Sequence, residues 1–333
     1  MRERQTPRSI YDLSFDDLAA SVGPKDASTV YRQLYREGRR SSAAIERAAA
    51  RHELPQVVPL VRTNVDRGSM SAKYLFELDD GNAIETVRIR RRTGATACVS
   101  SQVGCAFSCT FCASGRLGLK RSLSAGEIVQ QVLELGPQIN RVVFMGIGEP
   151  LHNYGQVLRA IRILRDRRGR ALKSSGVTIS TIGIPNRLKR LREEHLAINL
   201  TISLHASTDE GRRQLIPGAR NFTIGEVVET SQSWAERHNR IVTYVYLLLP
   251  GVNDSEADID RLTGFFAGRK ARINLMRWNP VLGGPVYERI DDAGLSRFKR
   301  ALNRASIPTV VRDTQGRDID AACGQLWLRD VKQ

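Results

Sequence analysis

From about residue 95 onward the chain alternates short strand-like runs with helical stretches, and this alternation limits the possible folds more than any other feature. Period-2 or continuous apolar runs place strands at 96–100, 141–145, 177–181, 197–203, 241–248, 272–276 and 309–312. Between them, helical apolar spacing appears around 154–168, 185–194, 223–238, 255–267 and 294–305. Ser124 and Glu127 form a capping-box pattern ahead of the run IVQQVLEL, which marks another helix start. Strand–helix repetition at this spacing implies an α/β fold with a parallel sheet, open or closed into a barrel. Loops at the carboxyl ends of such strands are where chemistry collects.

The region before this repeat reads differently. Residues 9–20, 27–38 and 41–52 have helical character, and the prolines Pro55 and Pro59 of LPQVVPLV end that region. Two extended runs, 74–78 and 85–90, flank the turn Asp79-Asp80-Gly81-Asn82 and predict a hairpin. No apolar run approaches the roughly 20 residues that a membrane helix needs. The N-terminus MRERQTPRSIYDL carries no apolar core of signal-peptide type, so the expected compartment is the cytoplasm.

Charge is unevenly spread. The chain has 51 Lys and Arg against 35 Asp and Glu, a net of +16. Residues 86–210 alone hold nineteen basic and eight acidic side chains, whereas 1–55 are nearly balanced with ten and eight. The basic stretch includes Arg88, Arg90, Arg91, Arg92, Arg116, Lys120 and Arg121, and continues through RILRDRRGRALK and RLKRLR. Such a footprint suits a polyanion gripped through its phosphates. Solvated helix faces in an arginine-rich proteome produce the same pattern.

Five cysteines are present, Cys98, Cys105, Cys109, Cys112 and Cys323. An odd number, with four of them close together, argues against a disulfide framework and for metal or redox chemistry. Residues 104–112 read GCAFSCTFC, a CxxxCxxC pattern with an aromatic residue before the last Cys. A [4Fe–4S] cubane has four irons, and three clustered thiolates leave one iron open. An open position is what a catalytic centre needs, and the amino and carboxylate groups of S-adenosylmethionine (SAM) can fill it. Zinc would need a fourth nearby ligand, and neither Cys98 nor a flanking His has the usual spacing.

Further segments fit SAM binding. VVFMGIGEP runs from a strand into a glycine turn, where Gly146 and Gly148 would let backbone approach a ligand and Glu149 could hold its ammonium group. Ser180 in VTISTIG, Ser203, Leu204 and His205 in NLTISLHAS, and Asn279 in RWNP all fall at or just past expected strand ends. Taken singly, each would more often be a turn or capping group, and His205 a satisfied rim histidine.

With Cys98 in ACVSSQVGC, the cluster motif, GIGEP, SLHA, WNP and DIDAACGQL in this order, the chain resembles the RlmN/Cfr methyltransferases from about residue 70 to 327. These radical SAM enzymes methylate carbon 2 or carbon 8 of an adenosine in 23S ribosomal RNA. The resemblance implies a partial (β/α) barrel of the radical SAM type with a small helical N-terminal domain. It divides the chain into an RNA-binding accessory domain over 1–60, a β extension over 61–94, and a barrel over 95–333 ending in the methyl-carrier segment. It also implies a [4Fe–4S] cluster on Cys105, Cys109 and Cys112, and SAM held by Gly148, Glu149, Ser180, Ser203, Leu204, His205 and Asn279. Cys323 takes a methyl group from one SAM, and a second SAM supplies a radical that abstracts hydrogen from it. The resulting methylene radical adds to the adenine ring, Glu85 removes the ring proton, and Cys98 attacks Cys323 to release the product and form a disulfide.

The expected partners are 23S rRNA, with transfer RNA as a second candidate, and an electron donor such as flavodoxin. We expect a monomer that does not engage a membrane. Two other readings stay open: the same methyl-cysteine chemistry on a small molecule or peptide, and a non-catalytic Fe–S nucleic-acid-binding protein. IPGA at Ile216–Ala219 departs from the family's usual Pro-Ile-Asn, and GIGEP replaces GMGEP. STIGI, LLPGVNDS and NLMRWNP are nearer to Cfr, whereas Pro150 is nearer to RlmN, which leaves the methylated carbon open.

Overall fold

A computed structural model describes residues 9–51, 61–65 (backbone only), 70–196, 198–281, 284–312 and 322–326. Twelve strands occur among them: β1 (Val61–Val65), β2 (Ser71–Glu77), β3 (Ala83–Arg90), β4 (Ala95–Cys98), β5 (Gln102–Gly104), β6 (Leu119–Ser122), β7 (Ile139–Phe144), β8 (Val177–Thr181), β9 (Asn199–Ser203), β10 (Val242–Leu248), β11 (Ala271–Arg277) and β12 (Thr309–Val311). Ten form one sheet in the order β1-β2-β3-β4-β7-β8-β9-β10-β11-β12. From β4 to β12 every pairing is parallel, and β1 to β4 add an antiparallel extension. Since β12 does not pair back onto β4, the parallel part is a partial barrel, as the alternation implied.

The helices are α1 (Phe15–Val22), α2 (Pro24–Tyr31), α3 (Ala43–Arg51), α4 (Ala113–Arg116), α5 (Ala125–Glu134), α6 (Tyr154–Arg165), α7 (Pro185–Glu193), α8 (Asp209–Leu215), α9 (Ile224–His238), α10 (Glu256–Phe266) and α11 (Asp292–Arg304). Crossovers between parallel strands bring helices back against one face of the sheet. Strand side chains alternate accordingly. Ile179, Leu200, Ile202, Tyr244, Tyr246 and Ile273 enter the large core beneath the helices. Their neighbours Ser180, Thr201, Ser203, Val245 and Asn274 point to the other face, into the lumen of the barrel. A parallel sheet covered on both faces would be apolar throughout. Half-buried Ser180, Ser203 and Asn274 therefore mark a lumen open to a ligand.

Several expected boundaries shift. The helix expected over 9–20 is broken, because Ser14 caps α1 in a capping box with Asp17 and a separate turn, Ile10–Asp12, precedes it. The helix expected over 27–38 starts earlier, at Pro24, and ends in a wide π-type turn, Arg32–Arg36. The antiparallel pair β5–β6 and the short helix α8 carry too few residues to show a period, so no local pattern announces them. LPQVVPLV up to Leu60, and the DIDA half of DIDAACGQL, lie outside the described residues.

The N-terminal helices pack directly on the barrel. The Asp12 carboxylate accepts the Gly126 N–H of α5 at 2.6 Å, and Arg36 Nε donates to the Gly169 carbonyl at 3.0 Å. Phe15, Tyr31 and Tyr35 make edge-to-face contacts, and Gly169 lies against the two tyrosines so closely that a Cβ there would press on them. Residues of α1, α2 and α3 share one continuous core with the barrel helices.

Candidate active site

The cysteine loop runs from β5 to α4 at the carboxyl end of the sheet. Its conformation is fixed by backbone. Cys105 N–H donates to the Gly118 carbonyl at 3.0 Å, and Gly104 has φ of 76°, where a Cβ would also strike that carbonyl. Two bonds tie the loop to the α8 region: Thr110 N–H to the Leu215 carbonyl at 3.0 Å and Gly218 N–H to the Phe107 carbonyl at 3.1 Å. Ile216–Ala219, the segment that departs from the family pattern, thus packs against the cysteine loop.

All five cysteines are free and half-buried. Burial pushes the Cys105 thiol up to about 12, Cys109 well above its ordinary value, and Cys112 upward. For Cys109 the charges of Cys112 and Cys105 add to the rise, so the three sulfurs sit close enough to repel as thiolates. Backbone N–H groups of Phe107, Ser114 and Gly115 oppose the rise by donating to Cys105 and Cys112. Such a trio needs a cationic centre to hold it ionised, and metal binding displaces the protons. Among the described residues no three Cys, His, Asp or Glu side chains converge on a single ion. Three thiols on one loop suit the three protein-held corners of a cubane.

The remaining expected residues surround this loop. Glu149 is buried, and its carboxylate accepts from Leu151 N–H at 2.9 Å, Ile182 N–H at 2.9 Å and the Thr181 hydroxyl. Burial outweighs these donors and pushes it up to about 7. Gly146 and Gly148 meet protein rather than open space: a Cβ on Gly146 would hit the Val99 carbonyl, and one on Gly148 would hit Gln102. The glycine turn is thus required by its packing on the strand that leads to the cysteine loop, in addition to the ligand approach expected of it.

Ser180 and Ser203 stand on adjacent strands facing the lumen. Leu204 and His205 N–H both reach the Val245 carbonyl, at 3.0 and 3.3 Å, a local irregularity that turns His205 to φ of 61°. The His205 Nδ1 accepts from Leu247 N–H at 3.0 Å, which puts its proton on Nε2, and the ring meets Phe111 of the cysteine loop edge-on at 4.7 Å. Burial lowers His205 to about 3, so it is neutral. Asn279 is buried, its Nδ2 donates to the Cys323 carbonyl at 3.2 Å, and its Oδ1 has no partner among the described residues. That orphaned oxygen, just past the carboxyl end of β11, fits a ligand that donates hydrogen bonds.

The segment that carries Cys323 docks here, and its charge reaches Cys98. Ala113 N–H donates to the Gly324 carbonyl at 2.7 Å, Ser114 Oγ to the Leu326 carbonyl at 3.0 Å, and Gln325 Nε2 to the Pro280 carbonyl at 3.1 Å. These bonds set Cys323 against the cysteine loop, where its charge acts on both Cys98 and Cys112. Burial and Cys323 push the Cys98 thiol up to about 12, against the opposing charge of Arg312. Cys98 pairs with Val87 across β3–β4, so Glu85, two residues along β3, lies on the same face. Glu85 is 1% exposed and sits 2.9 Å from Lys73 Nζ.

The sequence reading missed two buried cations. Lys73 lay just outside the strand assigned there. Arg212, on α8, is 2% exposed. Lysine and arginine are read as surface residues unless a partner is visible, and in both cases the partner is tertiary.

Residues 99–262 match the Radical SAM superfamily model. A probable RNA methyltransferase of Rhodopseudomonas palustris (strain BisB5) is 63% identical over 273 residues, covering 82% of this chain and 76% of that protein. A probable dual-specificity RNA methyltransferase RlmN of Symbiobacterium thermophilum is 45% identical over 270 residues, covering 79% and 73%. The crystal structure of a radical SAM methyltransferase from Sphaerobacter thermophilus superposes with a TM-score of 0.86 at 35% identity, over 96% of this chain and 99% of that one. The cysteine loop lies within the matched superfamily segment, and the structural match extends over both the N-terminal helices and the barrel. On these grounds the chain belongs to the RlmN-type RNA methyltransferase family of the radical SAM superfamily.

Proposed function

We propose that this chain methylates an sp2 carbon of an adenosine in 23S rRNA through a methyl group carried on Cys323. The observation that carries the proposal is the docking of the Cys323 segment on the cysteine loop, through Ala113 N–H to Gly324 O at 2.7 Å, with Cys98 within reach of the Cys323 charge. A cluster that only senses redox state or braces a fold needs neither outlying cysteine.

Cys105, Cys109 and Cys112 would hold a [4Fe–4S] cluster, and Glu149, Ser180, Ser203, Leu204, His205 and Asn279, with the Gly148 backbone, would line the SAM site. Cluster and SAM together supply a 5′-deoxyadenosyl radical. The chain's own residues do the rest. Cys323 takes the methyl group as a thiolate nucleophile and presents it beside the cluster loop. Adenine carbons are electrophilic, so a carbon radical on that methyl group can add where SAM's methyl cannot transfer directly. Glu85 accepts the ring proton, and the unpaired electron left on the ring would pass to the oxidised cluster. The Cys98 thiolate then attacks the Cys323 sulfur, the sulfur–carbon bond breaks, and its electron pair stays with the methylene carbon, which takes up a proton to become the new methyl group. A Cys98–Cys323 disulfide remains and needs an external reductant before the next turnover. Cys98 is protonated at rest, since burial holds its thiol near 12, so this last step requires local deprotonation.

RNA would be gripped by the N-terminal helices, residues 1–60, and by the exposed part of the basic stretch. Arg90, Arg91, Arg92 and Lys120 are exposed. Others serve the fold: Arg121 bonds Asp80 and Glu127, Arg162 pairs with Glu194, and Arg170 donates to three carbonyls at its Nη2. Among the described residues no helix is long and apolar enough to cross a membrane. We propose a monomer acting in the cytoplasm, reduced by a donor such as flavodoxin. Mass spectrometry of rRNA fragments from cells with and without the gene tests the proposal. A methyladenosine lost with the gene is expected, and identical spectra would reject an rRNA substrate.

A further inference from the structure

Arg212 is a buried cation with two of its three guanidinium nitrogens unpartnered among the described residues. Its side chain is 2% exposed, and Nη2 is satisfied by the Ile182 carbonyl. Nε and Nη1 are buried with no partner among the described residues. The ring of Phe222 lies 5.5 Å from the guanidinium carbon, an apolar wall on one side. An ionised guanidinium has five donors and cannot shed its proton, so burying it with most donors idle is costly unless an anion meets it.

The position of Arg212 says where that anion belongs. It lies one turn before Leu215, whose carbonyl holds Thr110 between Cys109 and Cys112. Its carbonyl partner, Ile182, donates its own N–H to Glu149, so one residue links the guanidinium to the glycine-turn carboxylate. Among neighbouring ionisable groups Cys109 acts on Arg212 most strongly, ahead of Asp209 and Glu149. Asp209 is engaged elsewhere, accepting the Ile224 N–H at 2.7 Å.

We propose that Arg212 is a positioning residue for the cluster, its guanidinium supplying the buried positive charge that balances the cluster's anionic thiolate ligands on the Cys109 side. This rests on the assignment of the cluster to Cys105, Cys109 and Cys112. A cubane on three thiolates is an anion and gains a further negative charge on reduction. A fixed cation in a low-dielectric pocket stabilises the reduced form more than the oxidised one, and so raises the reduction potential. Keeping the charge on α8 rather than on the cysteine loop lets one element clamp the loop and tune it.

The test compares Arg212→Gln and Arg212→Lys with the wild-type full-length protein after anaerobic reconstitution. Three quantities are read: iron and sulfide per chain, the midpoint potential by reductive titration without SAM, and the dissociation constant for SAM. Arg212→Gln should load its cluster and shift to a lower potential, with SAM affinity changed less than about twofold, and Arg212→Lys should return the potential towards wild type. Equal potentials in wild type and Arg212→Gln overturn the proposal. So does a weakened SAM affinity at unchanged potential, which reassigns the guanidinium to the SAM carboxylate. Should Arg212→Gln fail to load, Arg212→Lys decides: a full cluster at wild-type potential supports a role for charge, and loss of cluster at an unchanged melting temperature refutes it. Wild-type protein that binds no iron would instead refute the cluster assignment itself.

Discussion

The ammonium group of Lys73 lies 2.9 Å from the Glu85 carboxylate, and both side chains are almost wholly removed from solvent. They stand on neighbouring antiparallel strands, with Glu85 opposite Leu75 and Lys73 opposite Val87, a diagonal pair on one face. Breaking a buried pair leaves the other charge stranded, which costs about 3–5 kcal/mol. Lys73→Met and Glu85→Leu should each lower stability by that order in urea unfolding, and the double variant should recover much of the loss. Additive losses would show that the two charges do not compensate each other.

The cluster assignment predicts a division among the five cysteines. Alanine at Cys105, Cys109 or Cys112 should abolish the brown chromophore, and alanine at Cys98 or Cys323 should retain it. Reconstituted wild-type protein should carry about four irons and four sulfides per chain. Full iron content in Cys109→Ala would remove the central assignment.

Cys98 and Cys323 should fail at different steps. Cys323→Ala lacks the methyl acceptor and should give neither product nor a protein–RNA adduct. Cys98→Ala can still reach the thioether-linked species but cannot resolve it. It should accumulate a nuclease-sensitive band on a denaturing gel, and Glu85→Ala should do the same. A Cys98→Ala enzyme that turns over normally would end the resolving role.

Two buried groups give the metal-free protein opposing pH dependences. Glu149 is raised from 4.5 to about 7, so the folded state binds more protons than the unfolded one in that window. Its contribution is present below 4.5 and lost as pH rises through about 7, a fall of ~3 kcal/mol at ~1.4 kcal/mol per unit. His205 is lowered from 6.5 to about 3, and its contribution runs the other way, present above 6.5 and lost as pH falls through about 3. Between 4.5 and 6.5 the two oppose each other. Glu149→Gln should therefore make stability rise more steeply with pH over that range, as read from urea midpoints.

RNA affinity should fall steeply with salt, because the exposed basic groups are phosphate-type contacts rather than base-reading ones. Replacing Arg90, Arg91 and Arg92 together with Gln should flatten the slope of log affinity against log salt. Binding that barely responds to salt in the wild type would favour a small-molecule or peptide substrate.

Local, periodic features were legible in the sequence. The Ser124–Glu127 capping box forms as read, β8 spans the expected residues, and the hairpin β2–β3 turns at Asp79–Asn82. Each is set within one turn or one strand, where side-chain period and capping chemistry suffice. The cysteine spacing likewise marked the loop as the candidate cluster site, because three thiols in eight residues need no distant partner. Cys98 and Cys323 are separated by most of the barrel, and only the bonds of Gly324 and Leu326 to α4 bring Cys323 to the loop. At Gly146 and Gly148, packing against Val99 and Gln102 adds a requirement that no local pattern shows. Lys73 and Arg212 carry no sequence signal of burial, since a charge becomes a core residue only when the fold supplies, or leaves room for, its counterion. Sequence by itself determined the strand–helix order and the placing of three thiols on one loop. Tertiary structure alone decided which distant charges and thiols face one another, because those contacts depend on sheet register and crossover packing that no local pattern encodes.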